Sequence, residues 1–308
     1  MRDVIIIGGG PAGVAAGVYS ARKKLKTLLI TESFGGQSAI AESIENWIGS
    51  KKISGMEFAK ILEEHIRAQE NIEIKMPENV IEVKKISDGF EITTDKNNSY
   101  QAMALIITSG GRRRRLNIPG EAQFEGKGVA YCSTCDAPVF KNKSVAVVGA
   151  GDAGLGAAID LARYAEKVYL ISNKKSLIGD MSLQEIVKNS EKITIITDAE
   201  VQEVLGGEFV FGLKYFAQND NQIKELNVEG IFVEIGSTPN SEFVKKLVDT
   251  NPKGEIIIDH RTGATSRPGI FAAGFATDEI YKQNNIAVGD GVVAALSAYN
   301  YLLNLEKL

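Results

Sequence analysis

The chain has 308 residues, enough for two hydrophobic cores, and its hydrophobic fraction of 44% is ordinary for a globular protein. A formal net charge of −4 lacks the basic excess that binding to a phosphate backbone requires, so no nucleic acid partner is expected. No segment is expected to span a membrane, and the N-terminus leaves no room for a signal peptide, which favours a cytoplasmic protein.

The N-terminal segment predicts a dinucleotide-binding unit. An apolar strand over residues 4–7 leads into the turn Gly8-Gly9-Gly10-Pro11-Ala12-Gly13, a helix of small residues follows, and the next strand ends at Glu32. Glycines at this spacing let the backbone turn tightly and approach a pyrophosphate at the helix N-terminus, while the acid accepts a ribose hydroxyl. We interpret this segment as the binding site of a dinucleotide.

The following segment completes the same unit. Residues 55–70 have the apolar spacing of an amphipathic helix. The alternation around Val80, Ile92 and Ala104 predicts a small antiparallel layer.

Cys132 and Cys135 are the only cysteines, and their spacing is C-x-x-C. In a reducing compartment such a pair favours redox catalysis over a structural cross-link. A zinc site needs four ligands, and the only histidines, His65 and His260, are distant in sequence. The pair is therefore interpreted as redox-active, and no metal site is predicted.

A second strand, glycine turn and helix begin at Ser144, with the turn Gly149-Ala150-Gly151-Asp152-Ala153-Gly154. The next strand, predicted over 168–171, ends in Ser172-Asn173-Lys174-Lys175. This end carries neither an acid for an NAD ribose nor an arginine for an NADP phosphate. A nucleotide-binding fold is predicted here without its usual ligand signal.

The two copies predict an α/β protein with two Rossmann-like, three-layer nucleotide-binding domains, the second inserted into the first. Glycine, proline and polar residues over 110–120 and 236–241 mark the two crossings. The first domain is predicted over 1–112 and 242–308, and the inserted domain over 113–241.

The C-terminal part is predicted to return to the first domain. The pattern indicates a helix ending at Val248, strands near Ile256 and Phe271, and a final helix over about 285–303. The small residues of the last helix are typical of core or dimer packing.

With a C-x-x-C motif at the start of the inserted domain, the chain resembles low-molecular-weight flavin thioredoxin reductases over nearly its whole length. The resemblance is carried by the N-terminal GGGPAG, Phe34-Gly35-Gly36-Gln37, Glu45-Asn46-Trp47, Thr108-Ser109-Gly110, Tyr131-Cys132-Ser133-Thr134-Cys135-Asp136 and Gly269-Ile270-Phe271-Ala272-Ala273-Gly274. It implies FAD in the first domain, an inserted NAD(P)H-binding-like domain that carries the redox pair, thioredoxin as a partner, and a homodimer.

The resemblance also implies roles for single residues. Cys135 would lie nearer the flavin ring, Cys132 would attack the thioredoxin disulfide, and Asp136 would serve as the acid. Chemistry supports an acid here, because one emerging thiolate must be protonated while the other stays nucleophilic; a helix cap is a compatible role for Asp136. The implied FAD contacts are Gly8, Gly10, Pro11, Ala12, Gly13, Glu32, Gly36, Gln37, Asn46, Gly110, Gly274, Phe275, Lys282 and Gln283.

Two departures from the family pattern concern ligands. NADPH-dependent members have a His-Arg-Arg cluster and a further arginine at the positions that are here Ser172, Asn173, Lys174 and Ile178. Lysines lack the fork that binds a 2′-phosphate bidentately. In addition, Phe275 replaces an aspartate that contacts the flavin's ribityl and phosphate region, and Asp278 or Asp290 is a candidate replacement.

The missing arginines favour the pyridine-nucleotide-independent subgroup, which takes electrons from reduced ferredoxin. The run Arg112–Arg115 would suit docking of an acidic ferredoxin, although a solvated loop, or a contact with FAD phosphates or thioredoxin, is the simpler interpretation. Three alternatives stay open: an NADPH-dependent thioredoxin reductase in which Lys174 and Lys175 suffice, a flavin dithiol oxidase that uses oxygen, and a flavin-binding redox sensor.

Overall fold

The computed structural model describes residues 1–41 and 43–305. The chain forms two compact units, which are treated separately below. Unit 1 comprises Met1–Arg112 and Thr238–Leu308, and unit 2 comprises Arg113–Ser237. The second division lies within the predicted crossing over 236–241, before the predicted end of the inserted domain at 241.

The elements are given in chain order. The first part of the chain contains β1 (Arg2–Gly9), α1 (Pro11–Arg22), β2 (Thr27–Phe34), α2 (Gly55–Arg67), β3 (Ile72–Lys75), β4 (Val80–Ile86), β5 (Gly89–Thr94), β6 (Ser99–Ile107) and β7 (Gly111–Arg113). The middle part contains β8 (Val129–Ala130), α3 (Ser133–Asp136), β9 (Ser144–Val148), α4 (Asp152–Ala162), β10 (Lys167–Ile171), α5 (Met181–Lys188), β11 (Ile193–Ile196), β12 (Ala199–Gly206), β13 (Val210–Ala217), β14 (Gln222–Asn227) and β15 (Gly230–Val233). The last part contains β16 (Ser237–Pro239), β17 (Ile258–Asp259), β18 (Ala264–Thr265), β19 (Ile270–Ala272) and α6 (Asn284–Asn304).

Unit 1 is built on one mixed sheet with β1 at its centre. The sheet runs in the order β3-β2-β1-β6-β19-β18-β17, and β1 pairs in parallel with both β2 and β6. The apolar run of β1 is buried on both faces, as central strands of parallel sheets are. The hairpin β4–β5 pairs antiparallel with β6 and forms the predicted small layer.

Helices α1 and α6 approach closely through small residues. Proline at the first helical position of α1 has a backbone torsion suited to a helix start. A Cβ on Gly291 of α6 would collide with the Ala12 carbonyl of α1, so glycine is required at this approach. Ala294, Ala298 and Leu302 of α6 are fully buried in the core of unit 1.

Two expectations about the C-terminal part were wrong. Helix α6 has 21 residues and a mean hydropathy of 1.4, so by length and composition alone it would suffice to cross a membrane, although its inward face packs in the unit 1 core. The predicted helix ending at Val248 is instead a series of turns. Val244 and Val248 are buried there, so the apolar spacing reflects packing of these turns against the sheet.

Unit 2 contains a five-stranded parallel sheet and a three-stranded antiparallel sheet. The parallel sheet runs β11-β10-β9-β15-β8, and β12–β14 form the second sheet. Val148 at the end of β9 pairs with Ile171 of β10 and Val233 of β15, so the three carboxyl ends meet at one edge. The two Rossmann-like sheets confirm the predicted α/β class with two nucleotide-binding domains.

Candidate functional site

Unit 1 has a cavity of about 570 Å³ at the carboxyl ends of β1, β2 and β6, within the size range of small-molecule sites. Twelve of the fourteen predicted cofactor contacts line it, namely Gly8, Gly10, Pro11, Ala12, Glu32, Gly36, Gln37, Gly110, Gly274, Phe275, Lys282 and Gln283. Their individual roles stay predictions. Of the other two, Gly13 packs against the Gly8 carbonyl, and Asn46 donates to Oε1 of Gln283 at 3.3 Å.

The glycine turn presents backbone to this cavity. Gly8 has φ +117°, a conformation that favours glycine, and a Cβ there would collide with the Thr108 carbonyl. Gly10 caps α1, and its ideal Cβ position comes no closer than 4.0 Å to any described atom beyond its chain neighbours, the nearest being Cα of Gly36. The start of α1 is therefore open to a ligand, with the positive end of the helix dipole towards it.

Glu32 lies exposed at the cavity, near the end of β2. Its Oε2 accepts a hydrogen bond from Nδ2 of Asn79, which also lies 3.2 Å from Oδ2 of Asp95. This arrangement holds the Glu32 carboxylate beside the cavity. Asn79 carries no motif, so sequence reasoning missed it.

Asp290 is a second residue of the cavity for which the sequence offered only a suggestion. Its Oδ2 is buried and has no hydrogen-bond partner among the described residues, while its carboxylate accepts from the Gly274 amide. Burial raises the pKa of Asp290. Buried polar atoms are almost always paired, so this oxygen is suited to a donor supplied by a ligand. Nearby, Nζ of Lys282 lies 5.4 Å from the centroid of the Phe275 ring.

The redox pair lies in unit 2, around the short helix α3. Cys132 and Cys135 have Cα atoms 5.3 Å apart, within the usual range of a disulfide. The Cys135 amide donates to Sγ of Cys132 at 3.2 Å, a contact that favours a thiolate on Cys132. Cys132 is partly buried and Cys135 is exposed.

Charged groups from other elements of unit 2 surround α3. The Ser133 amide donates to Oε1 of Glu234 at 3.4 Å, and the Ser133 hydroxyl lies 3.4 Å from Oδ2 of Asp160. Burial raises the pKa of Asp136 to about 6 and that of Glu234 to about 7, and in both cases the Arg113 guanidinium opposes the shift. Sequence reasoning found Asp136 but missed Glu234 and Arg113; the position of Glu234 directly after a Rossmann strand was the available signal.

The second glycine turn, in unit 2, also lies at a strand-end edge. Ser172 is buried, and its hydroxyl accepts from the Lys174 amide at 3.0 Å. Ile178, where the family has an arginine, is 66% exposed, and its amide donates to the Ala150 carbonyl at 3.0 Å. The cationic side chains at this strand end are the exposed Lys174 and Lys175. No guanidinium stands at the four positions of the family's arginine cluster.

The arginine run does not form one free basic patch. Arg112 contacts Oε1 of Glu242 at 2.7 Å at the rim of the unit 1 cavity. Arg115 contacts Oε2 of Glu125 at 2.6 Å in unit 2. With Arg113 held by carboxylates, three of the four guanidinium groups are engaged within the chain.

Comparison with known proteins shows the family. The model of the pyridine nucleotide-disulphide oxidoreductase family matches residues 2–291. The F subunit of alkyl hydroperoxide reductase from Xanthomonas campestris pv. phaseoli is 44% identical over 304 residues, 98% of this chain and 57% of that protein. An NADH dehydrogenase of Bacillus subtilis (strain 168) is 40% identical over 301 residues, 98% of this chain and 58% of that protein. The chain thus spans less than three fifths of these curated relatives.

A solved structure matches at full length. The thioredoxin reductase from Streptococcus pyogenes MGAS5005 is 34% identical, with a TM-score of 0.93 and 99% of each chain covered. Members of this type bind FAD, and the unit 1 cavity fits that cofactor: a glycine turn faces it, Glu32 lies at its side, and the Asp290 oxygen without a partner among the described residues can accept from a hydroxyl. The chain therefore belongs to the pyridine nucleotide-disulphide oxidoreductase family, as a thioredoxin reductase-like flavin oxidoreductase with a redox cysteine pair.

Proposed function

We propose that this protein reduces the disulfide of thioredoxin through Cys132 and Cys135, with electrons that come from reduced ferredoxin. The observation that carries the thioredoxin part is the paired cysteines followed by Asp136, in a chain that matches a thioredoxin reductase over its full length. When bound, FAD supplies the two electrons that open a disulfide.

The residues of unit 2 account for the thiol chemistry. Opening of the disulfide with two electrons and one proton leaves one thiol and one thiolate. The Cys135 amide, 3.2 Å from Sγ of Cys132, favours Cys132 as the thiolate that attacks the partner disulfide. Asp136, whose pKa is raised to about 6 by burial, retains a proton at mildly acidic pH and is the group proposed to donate it. Attack on the substrate disulfide then forms a mixed disulfide, which the second thiol resolves.

The donor assignment depends on the strand end of β10. A 2′-phosphate is bound best by arginines, and these positions hold buried Ser172, exposed Lys174 and exposed Ile178. The engaged arginine run lends no support to a docking patch for ferredoxin, so the proposal depends on the weak nucleotide site alone.

The test is anaerobic reduction of thioredoxin by the purified holoenzyme with reduced ferredoxin, NADPH or NADH as the only donor. Thiols formed in thioredoxin and bleaching of the flavin absorbance are both recorded. We expect turnover with reduced ferredoxin and slow bleaching with either nucleotide. Rapid turnover with NADPH or NADH alone would refute the ferredoxin assignment and leave the thioredoxin assignment intact.

A second function is favoured by the relatives. Identity to the F subunit of alkyl hydroperoxide reductase is 44%, against 34% for the thioredoxin reductase. On this alternative the same cysteine pair would pass electrons towards a peroxide-reducing partner, with NADH as a donor suggested by the relative named NADH dehydrogenase. Peroxide consumption in a mixture with NADH and a thiol peroxidase, but without thioredoxin, would favour it. Oxygen consumption driven by a small dithiol would favour the dithiol oxidase instead.

Assembly and location are part of the proposal. A homodimer and a cytoplasmic location are inferred from the resemblance and from a redox pair that needs a reducing compartment. Sedimentation of the holoenzyme at several concentrations tests the dimer, because a monomer throughout would contradict it.

A further inference from the structure

Three charged side chains from three elements of unit 2 surround the redox helix α3. Arg113 lies at the end of β7, Asp136 at the end of α3, and Glu234 directly after β15. The guanidinium of Arg113 interacts with both carboxylates. All three residues are partly buried, so their charges are screened less than surface charges are.

Glu234 also holds the backbone between the two cysteines. Its Oε1 accepts from the Ser133 amide at 3.4 Å, and the hydroxyl of the same serine lies 3.4 Å from Oδ2 of Asp160 on α4. Glu234 therefore has two contacts with functional meaning, one to the segment that carries the disulfide and one to the arginine that faces Asp136.

The charges in this cluster do not balance when all groups are ionised. Asp136, Glu234 and Asp160 would bring three negative charges against the single positive charge of Arg113. Burial acts against ionisation, and the pKa values of Asp136, about 6, and Glu234, about 7, are both raised for this reason. Neighbouring acids of this kind titrate as a coupled pair.

We propose that Glu234 is a positioning residue for the disulfide chemistry: it shares one proton with Asp136 by competing for Arg113, and it fixes the Ser133 amide between the cysteines. When Glu234 is ionised it draws the arginine's charge to itself, and Asp136 then keeps its proton. That proton is the one transferred to a departing sulfur as two electrons enter the disulfide. Asp136 is left as the carboxylate, paired with Arg113.

The inference rests on the redox role of the cysteine pair in the proposed function, but on neither the donor nor the identity of the reduced partner. The variant Glu234→Gln keeps an oxygen for the Ser133 amide and removes the charge. Glu234→Ala removes both. Glu208→Gln, an exposed glutamate of the same unit, is the matched control.

The primary readout is an infrared titration of protonated carboxyls in the oxidised holoenzyme, with Asp136→Asn used to assign the Asp136 band. We expect Glu234→Gln to lower the midpoint of Asp136 by roughly one pH unit, because Arg113 then acts on Asp136 alone. Glu208→Gln should leave it unchanged. An unchanged Asp136 midpoint in Glu234→Gln would overturn the proposal.

The second readout is the alkylation rate of Cys132 by iodoacetamide in dithiothreitol-reduced protein between pH 5 and pH 9. We expect the profile of Glu234→Gln to shift to lower pH with the Asp136 band. A change in Glu234→Ala without any change in Glu234→Gln would show a purely structural hydrogen bond and would also overturn the proposal. Since neither readout uses thioredoxin or an electron donor, failure of the proposed function and failure of this inference are separable.

Discussion

The amide of Ser133, the residue between the redox cysteines and α3's first residue, donates to Oε1 of Glu234 at 3.4 Å. This contact joins a four-residue helix to the end of a Rossmann strand 101 residues later in the chain. It explains how carboxylates with raised pKa values come to lie beside a disulfide, and the predictions below start from it.

Loss of either cysteine should stop electron transfer to thioredoxin while the flavin stays bound. We expect Cys132→Ser and Cys135→Ser each to lower the rate by roughly 10³-fold or more, since no other cysteine is present to replace them. Thioredoxin thiols report the rate, and flavin absorbance after gel filtration reports the cofactor. Thr134→Ser, between the two, is the control. Unchanged turnover in Cys132→Ser would remove the pair from the mechanism.

Reduction of the disulfide should slow as Asp136 loses its proton. Because burial raises the pKa of Asp136 to about 6, the acid form is present below that pH and lost above it. The rate of the disulfide step should therefore fall from pH 5 to pH 8, measured by single-turnover kinetics. Asp136→Asn should lower it by about 10²-fold and flatten the profile. A rate that rises over this range in the wild type would contradict the assignment.

Glu234 should make the protein less stable at alkaline pH. Its folded-state pKa of about 7 lies above the ordinary glutamate value of 4.5, so the stability it contributes is present below pH 4.5 and lost as the pH rises through 7. Between pH 5 and pH 8 the wild type should lose on the order of 1–3 kcal/mol more unfolding free energy than Glu234→Gln. Urea midpoints at both pH values measure this, and parallel losses in the two proteins would refute it.

Asp290 should contribute to binding of FAD. Its buried Oδ2 has no partner among the described residues and lies at the cavity, so we expect Asp290→Ala to weaken FAD binding roughly 10-fold. Titration of apoprotein with FAD, followed by flavin fluorescence, gives the dissociation constant. The matched control is Ser20→Ala, which removes another buried side-chain oxygen without a partner in the described part of the chain and lies outside the lining of the cavity. Equal affinity in Asp290→Ala and wild type would exclude this contact.

Arginines at the end of β10 should increase the use of NADPH. The triple variant Asn173→Arg, Lys174→Arg and Ile178→Arg places guanidinium groups where the NADPH-dependent members have them, at exposed positions that tolerate the change. We expect flavin bleaching by NADPH to accelerate at least about 10-fold, with ferredoxin-driven turnover unchanged. The control replaces the exposed Lys188 of α5 by arginine. A wild type that NADPH already bleaches at full speed would contradict the premise.

The sequence by itself determined the two glycine turns and the cysteine pair, since these are encoded by local spacing. The turn of residues 8–13 and the strand around it were predictable because a tight turn before a helix requires glycine at defined positions. Cys132 and Cys135 were predictable as a pair for a similar reason, because three residues of separation on a short helix bring two Cα atoms to 5.3 Å.

Only the tertiary structure decided which distant groups meet. Glu234 and Arg113 reach α3 because parallel strands place their carboxyl ends at one edge and because the chain enters unit 2 beside them, and no local pattern encodes that. The same holds for Asp290, which lies on a helix whose small residues indicate packing. The turns before Val248 were mistaken for a helix because burial of Val244 and Val248 against a sheet produces the spacing of an amphipathic helix. Local spacing specifies backbone geometry, whereas the pairing of charges and the burial that shifts their pKa values arise from contacts between residues far apart in the chain.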